Sequence, residues 1–371
     1  MTDADAFLAA IVAAPGEDLP RLVYADWLDE HGDPDRAEFI RLQIAVARGE
    51  LAGARALAAG ARALELQAAN KARWEIPDLH GGQTFRRGFV EGLRISTEEF
   101  VTHADRIGRA APVTGLQLVN VGPHLDALVR VPWLSRLEEL DLANNWVGHW
   151  LDDLLAAVPF PNLRALELRN NVLFADAVRR IAARAPALPR LTRLNLSGNP
   201  VSDEGAEALA ETPNLHGLTD LILRSDMQPF TDCVHAAGAG ALARGRSLTR
   251  LRYLDLAGHY IGDAGLVELA RSPVARTVEH LDVSDNDIGE LGDSGVEAVV
   301  ESAEFARLGV LNLGRNTLGR LGAEALARWP RLARLDAVDL TGCDLSEGVR
   351  EILLRSRYAD RFRLDEPTYT V

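Results

Sequence analysis

One nine-residue pattern governs what this chain can fold into. L-x-x-L-x-L-x-x-N returns as LEELDLANN (137–145), LRALELRNN (163–171), LTRLNLSGN (191–199) and LTDLILRSD (218–226). It continues as LRYLDLAGH (251–259), VEHLDVSDN (278–286), LGVLNLGRN (308–316) and LDAVDLTGC (335–343). Two looser copies, VEGLRISTE (90–98) and VTGLQLVN (113–120), come first, and the ten starts lie 23, 24, 26, 28, 27, 33, 27, 30 and 27 residues apart. In L-x-L two leucines point to one face of a short strand and the residue between them to the other. A single copy cannot bury that row. Stacked copies form a parallel sheet with a continuous leucine core behind it. GAEALAET (205–212), GLVELARS (265–272), GVEAVVES (295–302) and GAEALARW (322–329) have the apolar spacing of helices that carry the chain back.

The pattern resembles the leucine-rich repeat. The repeat length and the turns VSDEG (201–205), IGDAG (261–265) and LSEG (345–348) resemble its ribonuclease-inhibitor class. The resemblance implies an α/β solenoid, a horseshoe with a parallel concave sheet and convex helices. At the ninth position Asn145, Asn171, Asn199, Asn286 and Asn316 offer amides for loop backbone groups that would otherwise be buried unpaired. Cys343 takes that place in the last copy and reads as structural. Asp226 and His259 take it in two adjacent copies, which also bracket the 33-residue interval. An interrupted ladder and an irregular loop are expected around 225–247. Asp232, Cys233 and His235 in that loop lack zinc-ligand spacing and read as a solvated loop, so no metal is expected.

Residues 1–80 lack the repeat and read as helices over 3–13, 20–30, 34–48 and about 51–73, with Pro20 and Pro34 in first turns. PRLVYADWLDEHGDPDRAEFIRLQ (20–43) resembles the bacterial repeat-companion domain of planctomycete and myxobacterial proteins. RRGFVEGLRIS (86–96) and SRYADRFRLD (356–365) look like that family's entry and closing segments. The division expected is a helical cap domain at 1–80, a repeat domain of about ten copies at 81–345, and a C-terminal cap helix and tail at 346–371. Capping explains the helical module, because the end of a solenoid exposes its leucine core. Tyr24, Asp26, Trp27 and Asp29 read as part of that module's structure rather than as a site.

Composition narrows the function classes. Acids outnumber bases 54 to 40, a net charge of −14, which disfavours nucleic acid or an anionic membrane as partner. Residues 1–38 carry ten acids against Arg21 and Arg36 alone, so the excess is concentrated in the cap module. Two distant cysteines and the lack of a long apolar run point to a soluble cytoplasmic protein. No phosphate-binding, nucleophile or cofactor motif is present, and the chain reads as a monomeric, non-enzymatic scaffold.

Residues between the strand leucines face the concave side. That column reads Arg94, Gln117, Asp141, Glu167, Asn195, Ile222, Asp255, Asp282, Asn312 and Asp339. It predicts a negative face suited to a protein with a basic surface. Position ten carries Trp146, Val172, Pro200, Met227 and Tyr260, several of them large enough to anchor a partner. The candidate binding set is Asp141, Glu167, Arg169, Tyr253, Asp255, Asp282, Asp339, Trp146, Trp150 and Tyr260. The alternative function is activation of a small GTPase, by resemblance to the Ran GTPase-activating protein, which is built from similar long repeats.

Overall fold

Each expected repeat forms a strand, eight and five residues long in the first two and three residues long in the rest, followed by a helical return. The computed structural model describes residues 2–225 and 232–365, with the side chain of Asn214 left aside. Asp226 and Met227 lie outside the described residues. The chain divides into two compact units, Met1–Asn145 and Trp146–Val371.

The first unit begins with four helices, α1 (Asp3–Ala13), α2 (Leu19–Glu30), α3 (Pro34–Ala47) and α4 (Ala54–Trp74). An antiparallel hairpin follows, β1 (Gly82–Arg86) and β2 (Phe89–Ser96), then α5 (Thr97–Ala110), β3 (Gly115–Val119), α6 (Leu125–Leu128) and β4 (Glu139–Asp141). β2, β3 and β4 are parallel, with Leu93, Leu116 and Leu140 in register. The helical segment expected to end at residue 80 is joined to the hairpin by its own core. Ile11, Ala25, Leu28, Ala37, Ile40 and Ile44 pack with Phe89 of β2. Arg21 is fully buried and pairs with Glu91 at 2.7 Å, while Arg87 reaches Glu91 at 3.1 Å. The Gln43 side chain accepts the Gly88 N–H at 2.7 Å. Gly88 is at φ +88° with Ile40 against its Cα, so a Cβ there would fall 2.4 Å from Ile40 Cγ1.

This explains the dense motif at 20–43. Trp27 and Tyr24 pack against the core, and Asp26 and Asp29 both hold Arg41 at 2.7 Å. Half of the acids of residues 1–38 meet arginines of the unit. Asp18 pairs with Arg48, Asp33 with Arg73, and Glu38 with Arg62. Arg36 is the exception. Its guanidinium is enclosed by Trp74, Phe89, Phe39 and Phe85, at 4.6 to 5.6 Å from the ring centres. Burial lowers its pKa to about 10.

The second unit is an α/β leucine-rich repeat solenoid. It alternates α7 (Leu151–Ala157), β5 (Ala165–Glu167), α8 (Ala175–Arg184), β6 (Arg193–Asn195), α9 (Ser202–Glu211), β7 (Asp220–Ile222), α10 (Ala236–Arg244) and β8 (Tyr253–Asp255). It continues with α11 (Gly262–Ala270), β9 (His280–Asp282), α12 (Ser294–Glu301), β10 (Val310–Asn312), α13 (Arg320–Arg328), β11 (Ala337–Asp339), α14 (Glu347–Leu354) and β12 (Phe362–Arg363). The strands are parallel, and Leu166, Leu194, Leu221, Leu254, Leu281, Leu311 and Val338 stand in one register, all buried. Helices about 10 Å wide behind strands about 4.8 Å apart leave the strand face on the inside of the curve.

Two side-chain ladders fix the turns. Asn199 donates to the carbonyls of Leu168 and Leu196 and accepts the N–H groups of Asn171 and Leu173. Asn316 does the same for Val283, Leu313, Asn286 and Ile288. The second ladder is aspartate. Asp203 accepts from the His235 and Gly238 N–H groups, Asp263 from Gly289 and Gly295, and Asp293 from Gly319 and Gly322. Each therefore satisfies donors at the start of the next repeat's helix. A Cβ at Gly238 would lie 2.4 Å from Asp203 Oδ1, which is why glycine stands there.

At His259 the expected interruption does not occur. The imidazole Nε2 meets the Leu223 carbonyl at 2.9 Å and Nδ1 accepts the Val234 N–H at 3.1 Å. Those are two of the four bonds an asparagine makes elsewhere, one donated and one accepted, so the histidine continues the ladder. It does so as the neutral ring, because burial lowers its pKa to about 4. Cys343 donates its S–H to the Leu313 carbonyl at 3.2 Å, and burial raises its pKa to about 11.

Candidate interaction face

The strand residues that do not point into the core define a face in each unit. In the second it runs from Ala165 to Arg363, and its middle is the most crowded part. The Tyr253 and His280 rings stack at 4.6 Å and 25°. Both are half-exposed. Burial raises the Tyr253 pKa, with Asp255 and Asp282 adding to the effect, and lowers that of His280. Beside them Arg224 spans two strands, reaching Asp255 at 3.2 Å and Asp282 at 2.7 Å. Asn312 also donates to Asp282, at 2.9 Å. Arg193 bonds Glu167 at 2.8 Å and lies 3.8 Å from Asp220.

The central column's acids, expected to make this face negative, are accompanied by arginines and partly buried. Asp255 and Asp282 are 3% and 4% exposed. Each directs Oδ1 to the backbone two residues on, to the Ala257 and Ser284 N–H groups at 3.0 Å. Asp339 does this for Thr341, Asn195 for Ser197, Asn312 for Gly314 and, in the first unit, Asp141 for Ala143. An oxygen three bonds from Cα closes the turn that ends the strand, and aspartate and asparagine both supply it. The column is acidic because of this local geometry. Part of the charge is met by arginines on the same face, including Arg363 at 3.9 Å from Asp339. Asp255 and Asp282, both in the candidate binding set, are thus buried at the strand ends rather than open on the surface. Burial also raises the Asp255 pKa against the pull of the Ala257 N–H and Arg224.

The other candidates are distributed along the unit. Glu167 is half-buried under Arg193, whereas Arg169 is exposed and makes no ion pair among the described residues. Trp146 is 73% exposed, and Trp150 is half-buried at the start of α7. Tyr260 is half-buried and stacks on His235 with centroids 6.1 Å apart. Cys233 is buried, and among the described residues no three His, Cys, Asp or Glu side chains are placed to hold a metal ion. No described helix is long and apolar enough to cross a membrane. Sequence reasoning missed Arg193, Arg224 and His280. Their signal lies in the residues flanking L-x-L on either side, which share the face with the central column.

The model of the leucine-rich repeat matches residues 188–210, 247–270 and 274–300, which contain strand and helix of three repeats. The chain is also similar to leucine-rich repeat-containing protein 14 of Homo sapiens, 34% identical over 143 residues, and equally to that of Mus musculus. The alignment takes in 38% of this chain and 27% of the human protein, so the chain spans about a quarter of those curated relatives. Among solved structures, that of the Rad7 and Elc1 complex in yeast is similar with a TM-score of 0.44 and 16% identity. That likeness covers 91% of this chain and 76% of the other.

Proposed function

We propose that this leucine-rich repeat protein is a non-catalytic scaffold that holds a protein partner on the strand face and adjacent turns of its second unit. Leucine-rich repeat proteins generally mediate protein–protein contacts, and that supports the class. The observation that carries the surface is the Tyr253–His280 stack, half-exposed and flanked by Arg193 and Arg224. Tyrosine and arginine are the residues over-represented where interfaces concentrate their energy, and these have their orientation set by neighbours before any partner arrives. We assign the chain to the ribonuclease-inhibitor class, and residues 1–80 to a bacterial repeat-companion module that caps the repeats, on the motifs at 20–43 and 86–96. A cytoplasmic location and a monomeric state complete this reading.

Because the acids on the face are paired, the partner is recognised by rings and guanidinium groups as much as by charge. The test is affinity capture from the source lysate with the full chain, comparing Tyr253→Ala and His280→Ala with Arg320→Ala on the helical side. Partner recovery should fall in the first two and persist in the third, with melting temperatures of all three close to the parent. Equal recovery by all variants would sink the strand-face assignment.

A further inference from the structure

The turns Trp146–Trp150 and 169–174 present large apolar side chains that the core does not take. Trp146 is 73%, Phe174 53% and Val172 37% exposed. Trp146 and Val172 hold the tenth position in successive repeats, and the turns are linked by the Val147 N–H donating to Asn171 Oδ1 at 3.3 Å. Both residues sit in the left-handed region, at φ +56° and +55°. Asp287 and Asp344 adopt the same conformation at the same repeat position, at +55° and +43°. Aspartate tolerates it. Tryptophan and, above all, β-branched valine do not. A repeat free to choose for stability would place Asp, Asn or Gly at 146 and 172. Strain held at exposed positions is a mark of function when nothing in the interior requires the side chain.

Arg169 stands three residues before Val172 in the same turn, exposed and without an ion pair among the described residues. It contrasts with Arg193 and Arg224, whose charges are already matched. We infer that Trp146, Val172 and Phe174 form an apolar anchor site beside Arg169 for an extended peptide segment of the partner, carrying an aromatic or aliphatic residue next to carboxylates. This rests on the scaffold reading above and adds the partner's chemistry.

The experiment is selection of a random twelve-residue peptide library on the immobilised full chain, followed by titration of enriched peptides against variants. Enriched peptides should pair an apolar anchor with Asp or Glu. Trp146→Asn, Val172→Asn and Arg169→Glu should each weaken them about tenfold or more. The melting temperature of Trp146→Asn should hold or rise by about 2–4 °C as left-handed strain is relieved. A fall in its melting temperature, or enriched peptides indifferent to all three variants, overturns the inference. Peptides lost with Tyr253→Ala but not with Trp146→Asn would overturn it while leaving the strand-face reading standing. Peptides indifferent to both would remove both.

Discussion

At the scale of single residues, the repeat uses side chains as substitutes for backbone. The oxygen that Asp255, Asp282, Asn312 and Asp339 offer to the second N–H beyond them is common to Asp and Asn, so the column varies between the two without changing the turn. His259 shows the same interchange with a titratable group. Its folded pKa of about 4 lies below the unfolded value, so the native ring binds fewer protons than the unfolded one between those limits. Stability is therefore fully present above about pH 6.5 and is lost as pH falls towards 4, by roughly 3 kcal/mol at most. His259→Asn should keep both bonds and remove that dependence, as chemical denaturation at pH 7 and pH 4.5 would reveal. A parent and variant with the same pH slope would contradict the neutral-ring role. Cys343, with its thiol pushed up to about 11, and buried Cys233 should both resist a thiol reagent until the chain unfolds. Rapid labelling of the native protein would contradict their burial.

At the scale of elements, each strand contributes one residue to a ladder that neighbours complete. Leu221→Ala and Leu254→Ala remove fully enclosed side chains and should each cost roughly 2–5 kcal/mol in urea titrations. Arg315→Ala, on an exposed turn, should stay within about 0.5 kcal/mol. In the first unit, Glu91→Ala leaves Arg21 charged and buried without its carboxylate, a loss of roughly 3–5 kcal/mol. Strands, returning helices and the four N-terminal helices were legible because apolar period and caps are local signals. The joining of helical module to hairpin was not, since Arg21 and Glu91 lie 70 residues apart and nothing in either neighbourhood names the other. The ladder role of Asp203, Asp263 and Asp293 was hidden for the same reason, although the first two lie in the turns VSDEG and IGDAG that mark the repeat class.

At the scale of the whole molecule, the net charge of −14 coexists with many acids that stand beside arginines. Within the first unit Asp18, Asp26, Asp29, Asp33 and Glu38 meet arginines, and within the second the strand-face acids do the same. The central column names the acids of the strand face but not the arginines beside them, which is why that face reads as negative from the sequence. What remains distinctive is a face of rings and guanidinium groups around Tyr253, and the strained turns at Trp146 and Val172. The most direct test of that account is hydroxyl-radical footprinting of the protein with and without its captured partner. Oxidation of Tyr253, His280 and Trp146 should fall on binding while that of Tyr358, outside the proposed face, stays unchanged. Protection confined to the helices α9–α13, with Tyr253 and His280 oxidised as in the free protein, would contradict it.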